Sequence, residues 1–558
     1  MEHPARPRLA IVTPPVLKPC EPGLSGAAAA AALRSLGVDT TWLDGALGWF
    51  RHTTSPANLG RCLEAADAAG LPEGVRLAFR RGARHVEGGA PAFGHADLYR
   101  HRKRYSSAVS HLENALRLAS VPFPGLSLRV GDVEIKGRRA LSADHLEEFS
   151  DVAGPFDAWA ADALLPWLDA GGFTHVGLSL TFTQQAWATF RLATLLRERR
   201  PGLVRVLAGP LVSCWSAVGA DLSRPPFDRF DRVLPTGDEA ELTAFAADLG
   251  GQGTLPQRPW AVDLDEADWS HYLAPVPIVP AAIGRGCYWR ACTFCPDHLH
   301  ARYRPCGRDA LSDWLHAVAA RFPAGAMLHL TDSALVPAHL ERLADVIVRD
   351  RLPLRWHGFV RFEPRLAEPG FARHLAEGGC AMLQLGLETA SPRLLDLMDK
   401  GQTPELERAV LRATAAAGIS NHAYLLFGLP TETDAEREET LAFVEAEAEH
   451  LHDLNVALLN LPRQSPMHRA PARFGITSIT SFGPETDLSL YDDFRCGASH
   501  PRVEARRWLD RRFYKSPAVR RVLADLRNPF AANHGCFLGA PTPLTPPRSA
   551  PDTHTTCS

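Results

Sequence analysis

Gly284-Arg-Gly-Cys287-Tyr-Trp-Arg-Ala-Cys292-Thr-Phe-Cys295-Pro296 gathers three of the chain's eleven cysteines into nine residues, with gaps of four and two. Eleven in 558 residues is too sparse a supply for such a cluster to be a chance feature of an apolar core. A loop this short can turn three sulfurs onto one metal centre. Soft thiolates select zinc or an iron–sulfur cluster. Structural zinc is closed and tetrahedral, so it would need a fourth ligand, for which His298, His300 and Cys306 are at hand. A 4Fe–4S cluster on three thiolates keeps one iron without a protein ligand, open to a small molecule.

The cysteine stretch follows the first strand of an alternating run that starts at Pro277. The pattern predicts strands at Ile278–Ile283, Met327–Leu330, Leu354–Val360, Ala381–Leu387, Ala423–Phe427 and Val456–Leu459, with helices between them. Six strand–helix units point to a barrel or partial barrel, with chemistry at the C-terminal ends of its strands. Upstream, strands at 8–13, 40–43, 175–180, 204–207 and 230–234 alternate with helices, which predicts a parallel sheet covered on both faces. Residues 50–160 break this alternation with mostly helical, polar material and read as an insertion. The stretch 250–259, rich in Gly, Gln and Pro, reads as a linker. The expected division is therefore an α/β unit over 1–250, a barrel over 270–480, a small helical region over 481–540 and a disordered tail over 541–558.

Composition excludes other classes. Apolar residues at 46% and charged residues at 22% describe a globular chain. Sixty basic against 63 acidic side chains give a net charge of -3, which exerts no global pull on nucleic acid or an anionic membrane. No run approaches the roughly 20 apolar residues of a membrane span. A cytoplasmic protein with reduced thiols is expected, with nucleic acid not expected as a partner.

The three-cysteine loop resembles the radical S-adenosylmethionine (radical SAM) superfamily, which carries three cysteines after its first barrel strand, usually spaced x3 and x2. Phe294 matches the aromatic residue before the third cysteine, while the x4 gap departs from the commoner spacing. The resemblance covers about 270–470. It implies that Cys287, Cys292 and Cys295 hold a 4Fe–4S cluster and that SAM chelates the open iron. It further implies that Thr331 and Asp332, at the end of the second strand, stand where family members contact the methionine amino group. Arg361, after the third strand, would reach the SAM carboxylate or else form a surface ion pair. Glu388, in Gly386-Leu-Glu388-Thr389-Ala-Ser391, would accept from ribose hydroxyls. Gly428, in Phe427-Gly428-Leu-Pro430-Thr-Glu432-Thr433, would let backbone approach the adenine, with Glu432 as a cap on the next helix.

The first 250 residues resemble the Rossmann-like, cobalamin-binding-like domain that precedes one radical SAM branch. The carrying segments are Ile11-Val-Thr-Pro14-Pro15, Val176-Gly-Leu-Ser179-Leu-Thr-Phe-Thr183, Leu207-Ala-Gly209-Pro210 and Thr236-Gly-Asp238-Glu239. Ser179 and Gly209 stand at loops that would approach a corrin, or are ordinary strand-end residues. The Asp-x-His-x-x-Gly segment common in cobalamin sites is missing after the first strand. The fold expected is thus a Rossmann-like domain, a partial (βα)6 radical SAM barrel and a small helical C-terminal region. The function implied is cleavage of SAM to modify an unactivated carbon of a peptide or small-molecule substrate. An electron donor such as flavodoxin or ferredoxin would serve it, and cobalamin-dependent methyl transfer is open. A zinc-stabilised binding or scaffold protein is the alternative. Cys496 and Cys536 are expected to be structural. The basic stretch 502–521 reads as one amphipathic helix or two broken at Pro517, with a solvated outer face.

Overall fold

The computed structural model describes residues 7–86, 91–296, 303–483, 485–523 and 528–538. The chain opens on β1 (Arg8–Val12), whose last four residues are buried, as a strand covered on both faces requires. The alanine-rich helix Leu24–Ser35 buries Ala27, Ala28, Ala30 and Ala32, and its small side chains let it lie close to the sheet. It leads into β2 (Asp39–Leu43), parallel to β1.

The insertion runs from the helix Gly45–Thr53 to the helix Leu165–Gly171, wider than the expected 50–160. Within it the helices Glu73–Val86 and Arg102–Ala119 pack together, and β3 (Leu126–Arg129) and β4 (Asp132–Ile135) form a hairpin. The sheet resumes with β5 (His175–Ser179), β6 (Val204–Ala208) and β7 (Arg232–Val233). Its order is β2-β1-β5-β6-β7, parallel throughout. Between β1 and β5 the chain changes direction across the sheet. At such a switch point the loops leaving the strand ends part, and a crevice forms outside them.

The second sheet begins with β8 (Trp260–Ala261), antiparallel to β9 (Ile278–Ala282). A two-stranded ribbon follows, β10 (Gly284–Arg285) against β11 (Arg304–Pro305). Then come β12 (Ala326–Leu335), β13 (Leu354–Val360), β14 (Cys380–Glu388), β15 (Ser420–Phe427) and β16 (Asp453–Leu458). The order is β16-β15-β14-β13-β12-β9-β8, parallel from β9 to β16, which is the expected six-strand partial barrel with one antiparallel strand added. Strand β12 outruns its predicted end by five residues, because it passes through an irregularity in its pairing with β13 between Leu330 and Leu335. Strand β15 starts three residues early, at Ser420, where buried Asn421 and His422 hid its apolar pattern.

Both sheets share one core. Leu9, Ile11 and Ala30 from the first unit and Val279, Leu328 and Leu385 from the second belong to the same apolar cluster. Each fully buried Leu or Ile there contributes roughly 1.5–3 kcal/mol, so the two units are packed as one body.

The region after 480 is not purely helical. Strands β17 (Leu461–Pro462), β18 (Ser478–Thr480) and β19 (Tyr491–Arg495) form a small antiparallel sheet. The alternation of β19 was masked by Asp492 and Asp493, whose charges are paired with Arg463 and His500. Of the two readings offered for the basic stretch, the structure takes the second: helices Pro501–Arg511 and Pro517–Val522, with Pro517 opening the latter. Segment 528–538 packs against both units: Asn533 Nδ2 donates to Glu21 Oε1 at 2.8 Å, Tyr105 Oη lies 2.8 Å from His534 Nδ1, and Gln384 Nε2 of β14 donates to the Ala532 carbonyl at 3.4 Å. The expected tail at 541–558 lies outside the described residues. Among the described residues no helix is long and apolar enough to cross a membrane.

Candidate functional site

The three-cysteine loop leaves the C-terminal end of β9. Its first residues are held from β12: Asp332 Oδ2 accepts from the Ile283 N–H at 3.0 Å. The pairing irregularity in β12 turns Asp332 inward, a common use of bulges beside functional sites. Burial pushes the Asp332 carboxyl up to about 7, against the pull of the backbone N–H groups of Ile283 and Gly284. Its Oδ1 is buried with no hydrogen-bond partner among the described residues. Thr331, by contrast, is exposed, and its hydroxyl donates to the Ala281 carbonyl at 3.3 Å.

Around Cys292 the charges are set by two strand ends. Arg361, one residue beyond β13, is only 5% exposed, which excludes the surface ion pair. Its guanidinium lies 3.9 Å from Cys292 Sγ, 3.4 Å from Glu363 and 3.8 Å over the Trp289 ring, and it donates to the Lys400 carbonyl. Glu388 ends β14 at a second pairing irregularity, with φ of 63°. Its carboxylate meets Lys400 Nζ at 2.7 Å, and both side chains are nearly buried, at 12% and 8% exposure. Burial opposes the Lys400 charge, yet Glu388 and Cys292 outweigh it and hold the ammonium above its usual range. Burial raises the Cys292 thiol, while Lys400 and Arg361 favour its thiolate. Phe294 packs against the apolar cluster of Leu394, Met398, Leu459 and Met467, and Lys400 Nζ stands 5.7 Å from its ring centre.

Sequence reasoning gave neither Lys400 nor Trp289 a role. Neither residue type signals a site, and only the fold shows both beside Cys292. One other expectation is corrected. Glu432 is not the helix cap: Thr433 caps Asp434–Ala446 and Glu436 completes a capping box, while Glu432 accepts from Gly428 N at 2.6 Å and from Arg437 at 3.0 Å. Gly428 has φ of 75°, and the backbone it admits closely is that of Arg502, 3.1 Å from where a Cβ would stand.

The donor set suits a cluster. Three cysteines share one loop, and two cations beside Cys292 can balance the charge of thiolates. Among the described residues, no three His, Cys, Asp or Glu side chains converge on a point as ligands of one metal ion. Of the fourth ligands zinc would need, His298 and His300 lie outside the described residues. Burial and Asp332 push the Cys306 thiol up to about 11. Cys536 is buried and donates to the Asn533 carbonyl, and Cys496 forms a β-bridge with Ser499.

Ser179 and Gly209 come together at the switch-point end of the first sheet. They line one groove with Ser25, Ala29, Phe245 and Arg285, enclosing about 950 Å³ of empty space, mouth included. Ser179 Oγ donates to Ser25 Oγ at 3.2 Å. Gly209 has φ of 123°, and a Cβ there would lie 2.3 Å from the Leu180 carbonyl oxygen, so no larger residue fits. Arg285 stacks on Trp260 at 5.1 Å and pairs with Glu239. It lies two residues before Cys287, so the groove ends at the cysteine loop.

Comparison with known proteins gives the same reading of the barrel. The model of the Radical SAM superfamily matches residues 282–444, from the end of β9 into the helix after β15. Residues 282–444 therefore form a radical SAM domain. Enzymes of that superfamily use a 4Fe–4S cluster and SAM. This chain is 24% identical over 295 residues to an uncharacterized methyltransferase of Pyrococcus horikoshii, a match that takes in 48% of this chain and 63% of that relative's length. Among solved structures it is similar to the cobalamin-dependent radical SAM enzyme OxsB, with TM-score 0.42, 16% identity, and 56% of this chain and 49% of that one covered. It is also similar to the radical SAM methyltransferase TsrM of Kitasatospora setae, with TM-score 0.41, 20% identity and coverages of 61% and 73%.

Proposed function

We propose that this radical SAM enzyme is a cobalamin-dependent methyltransferase acting on an unactivated carbon of a peptide or small-molecule substrate. The observation that carries the reading is the groove lined by Ser179 and Gly209, which ends at Arg285 beside the cysteine loop. The name of the Pyrococcus relative supports methyl transfer. Cys287, Cys292 and Cys295 would hold the cluster, and the groove would take the corrin. When bound, these groups supply the electron that cleaves SAM and a transferable methyl group.

The chain's own residues do the positioning. Arg361 and Lys400 set a positive field at Cys292, where a SAM carboxylate also needs a cation. Glu388 offers its second oxygen to ribose hydroxyls while Lys400 fixes the first. Asp332 presents its unpartnered Oδ1 to the methionine amino group, and Thr331 stands at the same strand end. Phe294 seals the loop against Met398 and keeps water from the third cysteine. Gly428 fixes the turn after β15 beneath the adenine position. No histidine lies in the loop after β1, so a bound corrin would carry no histidine ligand from it. A one-electron donor such as flavodoxin or ferredoxin would serve the cluster.

The test is to load the anaerobic protein with hydroxocobalamin, desalt it, and measure retained cobalt and its spectrum. About one cobalt per chain, without a nitrogen-ligated spectrum, is expected. Ser25→Phe, which fills the groove from the helix side, should abolish cobalt retention and spare iron. A parent protein that keeps its iron but retains no corrin would rule out the methyltransferase and leave a non-methylating radical reaction.

A further inference from the structure

The loop between Cys287 and Cys292 carries four residues, and the structure shows what the extra length does. Tyr288 Oη donates to Glu363 Oε1 at 2.6 Å. Trp289 Nε1 donates to the Asp399 carbonyl at 2.9 Å, and its ring lies under the Arg361 guanidinium at 3.8 Å. The same ring also rests on Gly401, where a Cβ would stand 2.3 Å from it. Arg290 then takes φ of 52°, a left-handed turn that reverses the chain towards Cys292. Beyond Cys292, Thr293 is tied to the same 397–401 segment: its N–H donates to the Met398 carbonyl and its hydroxyl to the Leu397 carbonyl, each at 2.9 Å. Asp399 (φ 51°) and Gly401 (φ 65°) are themselves left-handed. The turn after Pro392–Leu397 is therefore bent to offer successive carbonyls to the cysteine loop.

From this geometry we infer that Trp289 is a positioning residue for the cluster. Held against both Arg361 and Gly401, it takes up the added residue of the x4 spacing and fixes Cys292 beside the Arg361 and Lys400 charges. Three features specify the clasp together. Only glycine at 401 leaves room for the indole. A guanidinium holds an aromatic face without needing a fixed angle. The indole N–H, which would otherwise go unpaired as the ring docks, reaches a carbonyl freed by the left-handed turn at Asp399. The consequence is local: the clasp restricts the loop holding the first two cysteines, so loosening it should make the cluster easier to strip without unfolding the barrel. The inference rests on the assignment of Cys287, Cys292 and Cys295 as cluster ligands.

The experiment measures how fast a ferrous chelator removes iron from the anaerobically reconstituted full-length protein. The electron paramagnetic resonance (EPR) spectrum of the dithionite-reduced protein is recorded alongside, and far-UV circular dichroism reports folding. Trp289→Ala should lose iron at least tenfold faster than the parent and show a shifted or broadened signal. Trp289→Phe, which keeps an aromatic face under Arg361 but has no N–H, should recover most of the difference. Gly401→Ala should resemble Trp289→Ala. Trp314→Ala, a tryptophan on the outer helix Arg308–Arg321, should match the parent. Iron loss from Trp289→Ala within twofold of the parent, with an unchanged spectrum, would overturn the inference. If Trp289→Ala fails to fold, the Phe and Gly401 variants decide: parent-like iron retention and spectra in both would equally overturn it. A parent that binds no iron would instead sink the cluster assignment itself.

Discussion

Replacing Lys400 by methionine should destabilise this protein far more than the loss of one surface charge. The Lys400 ammonium and the Glu388 carboxylate are 2.7 Å apart, with exposures of 8% and 12%. At an effective dielectric of about 20, two unit charges at that distance attract by roughly 6 kcal/mol before desolvation is counted. Desolvation cancels much of this in the intact pair. Once Lys400 is gone, however, Glu388 keeps its burial and loses its partner, which costs about 3–5 kcal/mol. Lys400→Met should lower the unfolding free energy by that amount in urea titrations at pH 8. Glu388→Gln should cost less, because Lys400 still faces Cys292 and the Phe294 ring. The double variant Glu388→Gln/Lys400→Met should recover most of the loss, giving a coupling energy above about 2 kcal/mol. Lys400 has its folded pKa raised, so the pair's contribution is complete below the unfolded value near 10 and is lost as pH rises through the folded one. Additive single-variant effects, with coupling below about 0.5 kcal/mol, would refute this account of the pair.

Other outcomes follow from the same structure. Asp332, with its carboxyl raised to about 7, favours the folded state while protonated. That contribution is present below about pH 4 and lost as pH rises towards 7. Asp332→Asn should flatten this slope and raise stability at pH 8 by about 2–4 kcal/mol, read from urea midpoints across pH 4–8. Gly428→Ala should cost about 1–2 kcal/mol for its left-handed backbone, plus the strain of displacing Arg502, seen as a lower thermal midpoint. Thr433→Ala should cost about 1 kcal/mol by removing the cap of Asp434–Ala446.

The alternation of strands and helices was legible because buried parallel strands are apolar runs, and β9 and β13 fall where their patterns put them. What escaped were elements whose buried faces carry polar groups. Asp332 ended the predicted second strand early, though it is turned inward to hold Ile283. Asn421 and His422 concealed the start of β15, and paired aspartates concealed β19. The cysteine loop was legible from spacing alone. Its surroundings were not, because Trp289, Arg361 and Lys400 are brought together from segments spread over residues 289–400 of the chain. Glu388 and Ser179 were singled out because motif and strand end coincide. The partner of Glu388 and the groove containing Ser179 needed the fold.

The central claim is that three cysteines hold a 4Fe–4S cluster whose fourth iron is free for SAM. Its most direct test is the EPR spectrum of the anaerobic, dithionite-reduced protein before and after SAM is added. The account predicts a reduced-cluster signal that shifts on SAM addition and is absent when Cys287, Cys292 and Cys295 are replaced together by Ala. A signal that persists in the triple variant, or one that SAM leaves unchanged in the parent, would contradict it.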